Sequence, residues 1–196
     1  MDLATTERQL TPSIEVREER AADSAAIRAV NQQTFDGGAE AHLVDRLRAD
    51  GDVVVSLVAT SAGRVVGHIL FSRLPVETEV GRLPAAALAP MAVLPAWQRQ
   101  GIGSDLVRKG LATCRDQGID AVAVLGHPGF YPRFGFSAEL ARRLVAPYRG
   151  DAFMAVELVP GALAFERGEV IYPPAFAVIS ASAPGSEPAQ TSTKPD

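Results

Sequence analysis

Leu94-Pro95-Ala96-Trp97-Gln98-Arg99-Gln100-Gly101-Ile102-Gly103-Ser104 joins the apolar run Ala85–Val93 to an amphipathic stretch that begins at Ile102 and continues to about Gln117. The run predicts a strand, the stretch a helix, and the segment between them a glycine-bearing turn. A strand that turns on glycines straight into a helix leaves several backbone N–H groups without partners, converging on one point at the positive end of the helix. Such a turn is an anion cradle, most naturally for a phosphate.

The spacing inside the turn restricts which phosphate-bearing ligand it serves. A Walker-type loop requires a Gly-Lys pair before Ser or Thr, and the chain contains no Gly-Lys pair. A dinucleotide fingerprint requires Gly or Ala where this chain has Leu106. The positions Gln98, Gly101 and Gly103 instead match the pattern Q/R-x-x-G-x-G/A. Val93-Leu94-Pro95 precedes it, and Phe130-Tyr131-Pro132-Arg133-Phe134-Gly135-Phe136 follows about thirty residues later. Taken together, these segments resemble the acetyl-CoA signature, the strand exit and the aromatic-Tyr-x-x-x-Gly-Phe element of the GCN5-related N-acetyltransferase (GNAT) family. Two motifs in the right order and spacing carry the resemblance, which covers roughly residues 13–160.

Outward from the turn, the chain reads as alternating short elements. Ile14-Glu15-Val16-Arg17 alternates as a strand. Asp23 or Ser24 is expected to cap a helix with Ile27, Val30 and Phe35 on its inner side. Asp36-Gly37-Gly38 breaks that helix, and a second one through Ala41, Leu43, Val44 and Leu47 ends near Asp50-Gly51. Val53–Ala59 and Arg64–Phe71 are β-branched runs joined by Thr60-Ser61-Ala62-Gly63, which predicts an antiparallel hairpin. The strand from Ala85, the helix from Ile102 and the strand Ala121–Leu125 then predict a right-handed parallel crossover. The fold class is therefore α/β (α+β). The resemblance implies the GNAT fold, with a mixed six- to seven-stranded sheet flanked by helices and a splayed parallel strand pair.

Composition agrees with a soluble globular domain. The chain has 196 residues, 47% of them hydrophobic, and a net charge of −4. One sizeable core is expected. No apolar run reaches the roughly eighteen residues that would span a bilayer, and Met1-Asp2-Leu3-Ala4-Thr5-Thr6-Glu7 lacks a signal-peptide pattern. The expected location is the cytoplasm, with neither membrane nor nucleic acid as partner, because the balance is acidic and no basic run tracks a phosphate backbone. Cys114 is the single cysteine and shares helical spacing with Val107 and Leu111, so it reads as a buried small hydrophobe. The three histidines lack ligand spacing, and no metal is expected. Residues 1–12 are expected to be flexible, 13–160 to form the domain, 161–178 to pack on it as an extension, and 179–196 to be disordered. Within the extension, Gly161–Phe165 suggests a helical turn and Gly168–Tyr172 a small strand. Whether it mediates a homodimer is left open.

Pro90 cannot donate to a strand ladder and so marks an edge or a bulge. The resemblance implies a bulge that opens a cleft for the pantetheine arm of acetyl-CoA, the cosubstrate, with Met91, Ala92 and Val93 at the pairing positions. It further implies pyrophosphate contacts along Arg99, Gln100, Gly101, Ile102, Gly103 and Ser104. The resemblance implies that Tyr131 is held beside the thioester sulfur as the catalytic residue, where a phenol with a pKa of about 10 can protonate the departing thiolate. The general base is left open among Glu40, His127, His68 and a water relay.

Three readings follow. The first is an N-acetyltransferase acting on a primary amine in a ternary complex. The second is an acyl-CoA sensor of the same fold without turnover. The third is an acyltransferase using another donor or a protein acceptor. A small-molecule amine is preferred over a protein, and Glu77 and Glu79, in the Pro75–Pro84 loop, are candidates for attracting it.

Overall fold

A computed structural model describes residues 13–177. The expectations for 1–12 and 179–196 lie outside those residues. In chain order the elements are β1 (Ile14–Glu18), α1 (Ser24–Thr34), α2 (Ala39–Ala49), β2 (Val53–Ser61), β3 (Arg64–Arg73), β4 (Val76–Thr78), β5 (Gly81–Leu83), β6 (Ala85–Val93), α3 (Ile102–Asp116), β7 (Ala121–Leu125), α4 (Ala138–Ala141), β8 (Leu144–Val145), β9 (Phe153–Glu157) and β10 (Gly168–Val170). Short 3-10 turns occupy Ala21–Asp23, Pro95–Trp97, Tyr131–Phe134 and Pro174–Phe176.

The main sheet has the order β1-β2-β3-β6-β7-β9. All its neighbours are antiparallel except β6 and β7, which run parallel as the crossover through α3 requires. The β2–β3 hairpin closes on Ala62 and Gly63, both at positive φ (48° and 78°), which is the two-residue turn whose twist matches the flanking strands. Strand β2 runs two residues beyond its expected end, because the tight turn lets the ladder continue to Ser61, whereas β3 starts at Arg64 as expected and continues past Phe71 to Arg73.

Helices cover both faces. The side chain of His68 meets Asn31 of α1, whereas the Cα of its neighbour Gly67 faces Leu106 and Ile102 of α3. Successive residues of a strand point to opposite faces, so α1 and α3 lie on opposite sides of the sheet. Ile27 and Val30 on one side, and Leu106, Val107 and Cys114 on the other, are buried against it. This two-sided cover explains why β2 and β3 read as continuous apolar runs without alternation. Phe35 lies just past the end of α1, half-buried against the core and at the wall of a cleft.

Two local expectations are corrected. Asp23 does not cap α1 with its side chain. Its carboxylate accepts from Arg17 at 2.7 and 3.0 Å and from the Arg20 N–H at 2.7 Å, fixing β1 to the entry of α1. The guanidinium of Arg17 lowers the pKa of Asp23 to about 2. The second correction concerns the Pro75–Pro84 segment, which is a β4–β5 hairpin, part of a second sheet ordered β5-β4-β10-β8. Its Glu77 pairs with Arg82 across the hairpin, and Glu79 accepts from the Glu166 N–H. Neither carboxylate reaches the cleft.

The C-terminal extension packs closely on the domain. Arg143 donates to the carbonyls of Leu163 and Phe165, and Glu157 accepts from the N–H groups of Gly161 and Leu163. Around Gly161 the chain makes successive turns rather than a helix. Strand β10 ends at Val170, so Tyr172 leaves the ladder and turns toward the cleft.

Candidate active site

The site begins with a register shift. From Ile69↔Met91 to Phe71↔Leu88, two steps along β3 oppose three along β6, so β6 carries one extra residue at Ala89-Pro90. The Ala89–Pro90 peptide is cis. On the other edge, β6 pairs with β7 only from Ala85↔Ala121 to Leu88↔Val124. Beyond Leu88 the two parallel strands separate. The Leu94 N–H donates to Val66 of the strand region on the β3 side. By alternation Ala92 also faces β3, and Met91 and Val93 turn their backbone groups toward the gap. Without the extra residue those positions would have the opposite phase.

The gap widens into a cleft of about 920 Å³. Its floor is β6 and the end of β7, and one end is the turn 98–104. Arg99 has φ +60° and Gly101 +89°, which folds the chain back so that α3 starts with its axis aimed into the cleft. No side chain caps this helix. The first intrahelical bond is Asp105 N–H to Gly101 C=O, which leaves the N–H groups of Ile102, Gly103 and Ser104 for an incoming acceptor. A Cβ on Gly103 would only touch Phe130 and Met91 at 3.6–3.7 Å. Packing alone therefore tolerates a side chain at Gly103, and its bareness matters for approach from the cleft. Gln98 donates its amide Nε2 to Val93 C=O at 2.9 Å, tying the turn back to the strand end.

The structure brings Met91, Val93, Arg99, Gly101, Gly103 and Ser104 together on the cleft wall. It does not bring Ala92, Gln100 or Ile102 there. Ala92 is buried and turned to β3, Gln100 donates to Ala96 C=O, and the Ile102 side chain is buried in the core, leaving only its N–H at the helix start. Arg133 is a cation absent from the sequence expectations. It lines the same end, donates to Phe130 C=O and lies over the Phe130 ring at 4.5 Å.

Tyr131 lies on the cleft wall, only 7% exposed, at the start of the 3-10 turn that Pro132 favours. Phe130 and Phe136 meet its ring edgewise at 5.1 and 5.5 Å. Burial pushes its pKa up to about 12, so the phenol keeps its proton at neutral pH. The same effect pushes the Cys114 thiol up to about 12 and leaves it an inert core residue.

The base candidates separate by position. His68 is fully buried in the sheet, outside the cleft, between Asn31 (3.2 Å to Nδ1) and Ser56 (3.0 Å to Nε2). Burial lowers its pKa to about 3, and the nearby Arg48 adds to the effect. It is a neutral structural residue. His127, exposed after β7, and Glu40, in the first turn of α2, both line the cleft. The wall is completed by Tyr148, Tyr172 and Phe176. No periodicity in the sequence singled these out, because they come from loops and a terminal turn. The arrangement combines an anion cradle, strand-like backbone groups open to a ligand, and a protonated phenol.

Comparison with known proteins agrees with this geometry. The model of the acetyltransferase (GNAT) family matches residues 24–136. The uncharacterized N-acetyltransferase YhbS of Escherichia coli is 36% identical over 160 residues, covering 80% of this chain and 95% of YhbS. YjhQ of the same organism, also an uncharacterized N-acetyltransferase, is 40% identical over 116 residues, covering 58% of this chain and 64% of YjhQ. The crystal structure of YhbS in complex with CoA superposes with a TM-score of 0.77 at 35% identity, covering 85% of this chain and 93% of that one. A GNAT family acetyltransferase of Brucella melitensis in complex with acetyl-CoA gives 0.70 at 34%, covering 84% and 98%. Among the described residues no helix is long and apolar enough to cross a membrane.

Proposed function

This chain belongs to the GNAT acetyltransferase family, and from its cleft we propose that it transfers the acetyl group of acetyl-CoA to a primary amine by direct attack within a ternary complex. The observation that carries the proposal is the phase change in β6. It turns the Met91 backbone groups and the Val93 N–H into a gap that continues to the uncapped start of α3, the Val93 carbonyl being held by Gln98. Those backbone groups pair with the amides of the pantetheine arm as a neighbouring strand would. The N–H groups of Ile102, Gly103 and Ser104 hold the pyrophosphate, and Arg99 and Arg133 add charge.

Acetyl-CoA supplies an activated thioester carbonyl. The amine nitrogen forms the new bond to its carbon, the carbon–sulfur bond breaks, and Tyr131 gives its hydroxyl proton to the departing sulfur. A phenol with a pKa of about 12 would be a poor donor to a solvated thiolate, whose ordinary pKa is about 8.5. Held beside the sulfur, the phenol passes its proton as the carbon–sulfur bond breaks, before a free thiolate forms. The amine reaches the carbonyl neutral, its ammonium proton having left through a water or a cleft-lining base, and the second proton that nitrogen sheds as the amide forms returns the Tyr131 phenolate to the phenol.

Thiol release tests the role of Tyr131. Tyr131→Phe removes only the hydroxyl, and kcat is expected to fall about 10²–10⁴-fold with acetyl-CoA affinity retained. An unchanged kcat overturns the assignment.

A further inference from the structure

The acceptor end of the cleft carries information about the amine. Glu40 is the one carboxylate among the described residues that line the cleft, and its Oε2 is buried with no hydrogen-bond donor among the described residues. A carboxylate oxygen removed from water and left unpaired is costly. A ligand N–H that reaches it would remove that cost.

The walls around it are aromatic. Tyr172 meets Tyr148 edgewise at 5.6 Å and Phe176 at 5.1 Å. The turn carrying Phe176 packs against α2, the helix that carries Glu40. Phe35 and Leu43 close the other side. Aromatic faces attract a cation, and their area suits an apolar body beside it. Arg99 and Arg133 are the cations of the cleft lining, and Glu40 is its one carboxylate among the described residues.

Resting on the acetyltransferase reading, we infer that Glu40 anchors the acceptor ammonium and that Tyr148, Tyr172 and Phe176 hold its body, which selects a monocationic primary amine on an aromatic or apolar frame. A polyamine would find no second carboxylate at this end, and an acidic acceptor would face Glu40. Glu40 then acts in acceptor binding, whether or not it also takes the proton.

The test measures binding to CoA-saturated protein by calorimetry, using 2-phenylethylamine, 2-phenylethanol, butylamine and spermidine as probes. Phenylethylamine is expected to bind at least about tenfold more tightly than the alcohol of the same shape. Glu40→Gln is expected to erase that difference while CoA affinity stays as in the wild type and the melting temperature does not fall, since a buried unpaired carboxylate is removed. Tyr172→Leu is expected to weaken phenylethylamine more than butylamine. Equal binding of amine and alcohol, tighter binding of spermidine, or a Glu40→Gln protein that still discriminates overturns the acceptor assignment alone. Failure of the wild type to bind CoA overturns both this inference and the reading it rests on, and the first titration registers it separately.

Discussion

The ring of Tyr131 packs on Gly126 so closely that a Cβ built on that glycine stands 2.2 Å from Cε2. The glycine at the end of β7 therefore sets where the phenol can sit in the cleft. Gly126→Ala forces the ring, its turn or the strand end to move. Stability is expected to fall by about 1–3 kcal/mol, and acetyl transfer to fall with it as the phenol leaves its place. Urea melts separate the two variants: Tyr131→Phe is expected to melt like the wild type, because the hydroxyl has no partner among the described residues.

The ionisation of Tyr131 has a kinetic signature. Its pKa is raised to about 12 by burial, so the proton needed for sulfur departure remains in place throughout the ordinary assay range. No basic loss of kcat from the phenol is expected between pH 8 and about 10, where an ordinary tyrosine begins to ionise. A basic limb near 10 in the wild type that vanishes in Tyr131→Phe would show a solvated phenol instead.

Arg99 and Arg133 lie at the cradle end of the cleft, and neither has a carboxylate partner among the described residues. Replacing both with Ala is expected to weaken acetyl-CoA about tenfold or more at low salt, with the difference shrinking as ionic strength rises. Dephospho forms of the ligand that keep the pyrophosphate should report the same loss. An affinity independent of both arginines and salt would place the pyrophosphate elsewhere.

His68 makes stability depend on pH. In the folded chain its pKa is about 3, against an ordinary value of 6.5, so between these values the unfolded chain binds the extra proton. Stability is therefore full above about 6.5 and is lost as pH falls toward 3. Asn31, Ser56, Glu19 and Arg48 are the polar groups around the ring, and Ser56 also donates to Glu19. His68→Gln is expected to lower the melting temperature at pH 7 and to flatten its fall between pH 6.5 and 4. The Asp23 carboxylate titrates below that window, with a pKa of about 2.

Much of the site was legible because it is local in sequence. Pro90 marked the bulge, the glycines marked the uncapped helix start, and periodicity marked β6, α3 and β7 on either side. The parts that were not legible depend on distant segments. Nothing near Glu77 indicates that Arg82 and Glu166 would occupy the hairpin carboxylates. Burial on both faces hides the partners of His68, since a strand covered on two sides shows no alternation. Tyr148, Tyr172 and Phe176 lie beyond residue 136, where the family match ends, and become a wall only when β10 delivers the chain back to α2. Ala92 and Ile102 belong to the segments that carry the resemblance, and their side chains are buried in the core away from the cleft lining.

The central claim is that the gap between β6 and β7 is a pantetheine channel ending at a pyrophosphate cradle. Calorimetric titration of the purified protein with acetyl-CoA, alongside ATP and NAD, tests it most directly. Saturable binding of acetyl-CoA at a single site per chain, with neither nucleotide matching it, is the predicted result. Absence of acetyl-CoA binding, or equal binding of ATP, would contradict the account and leave the glycine turn as architecture alone.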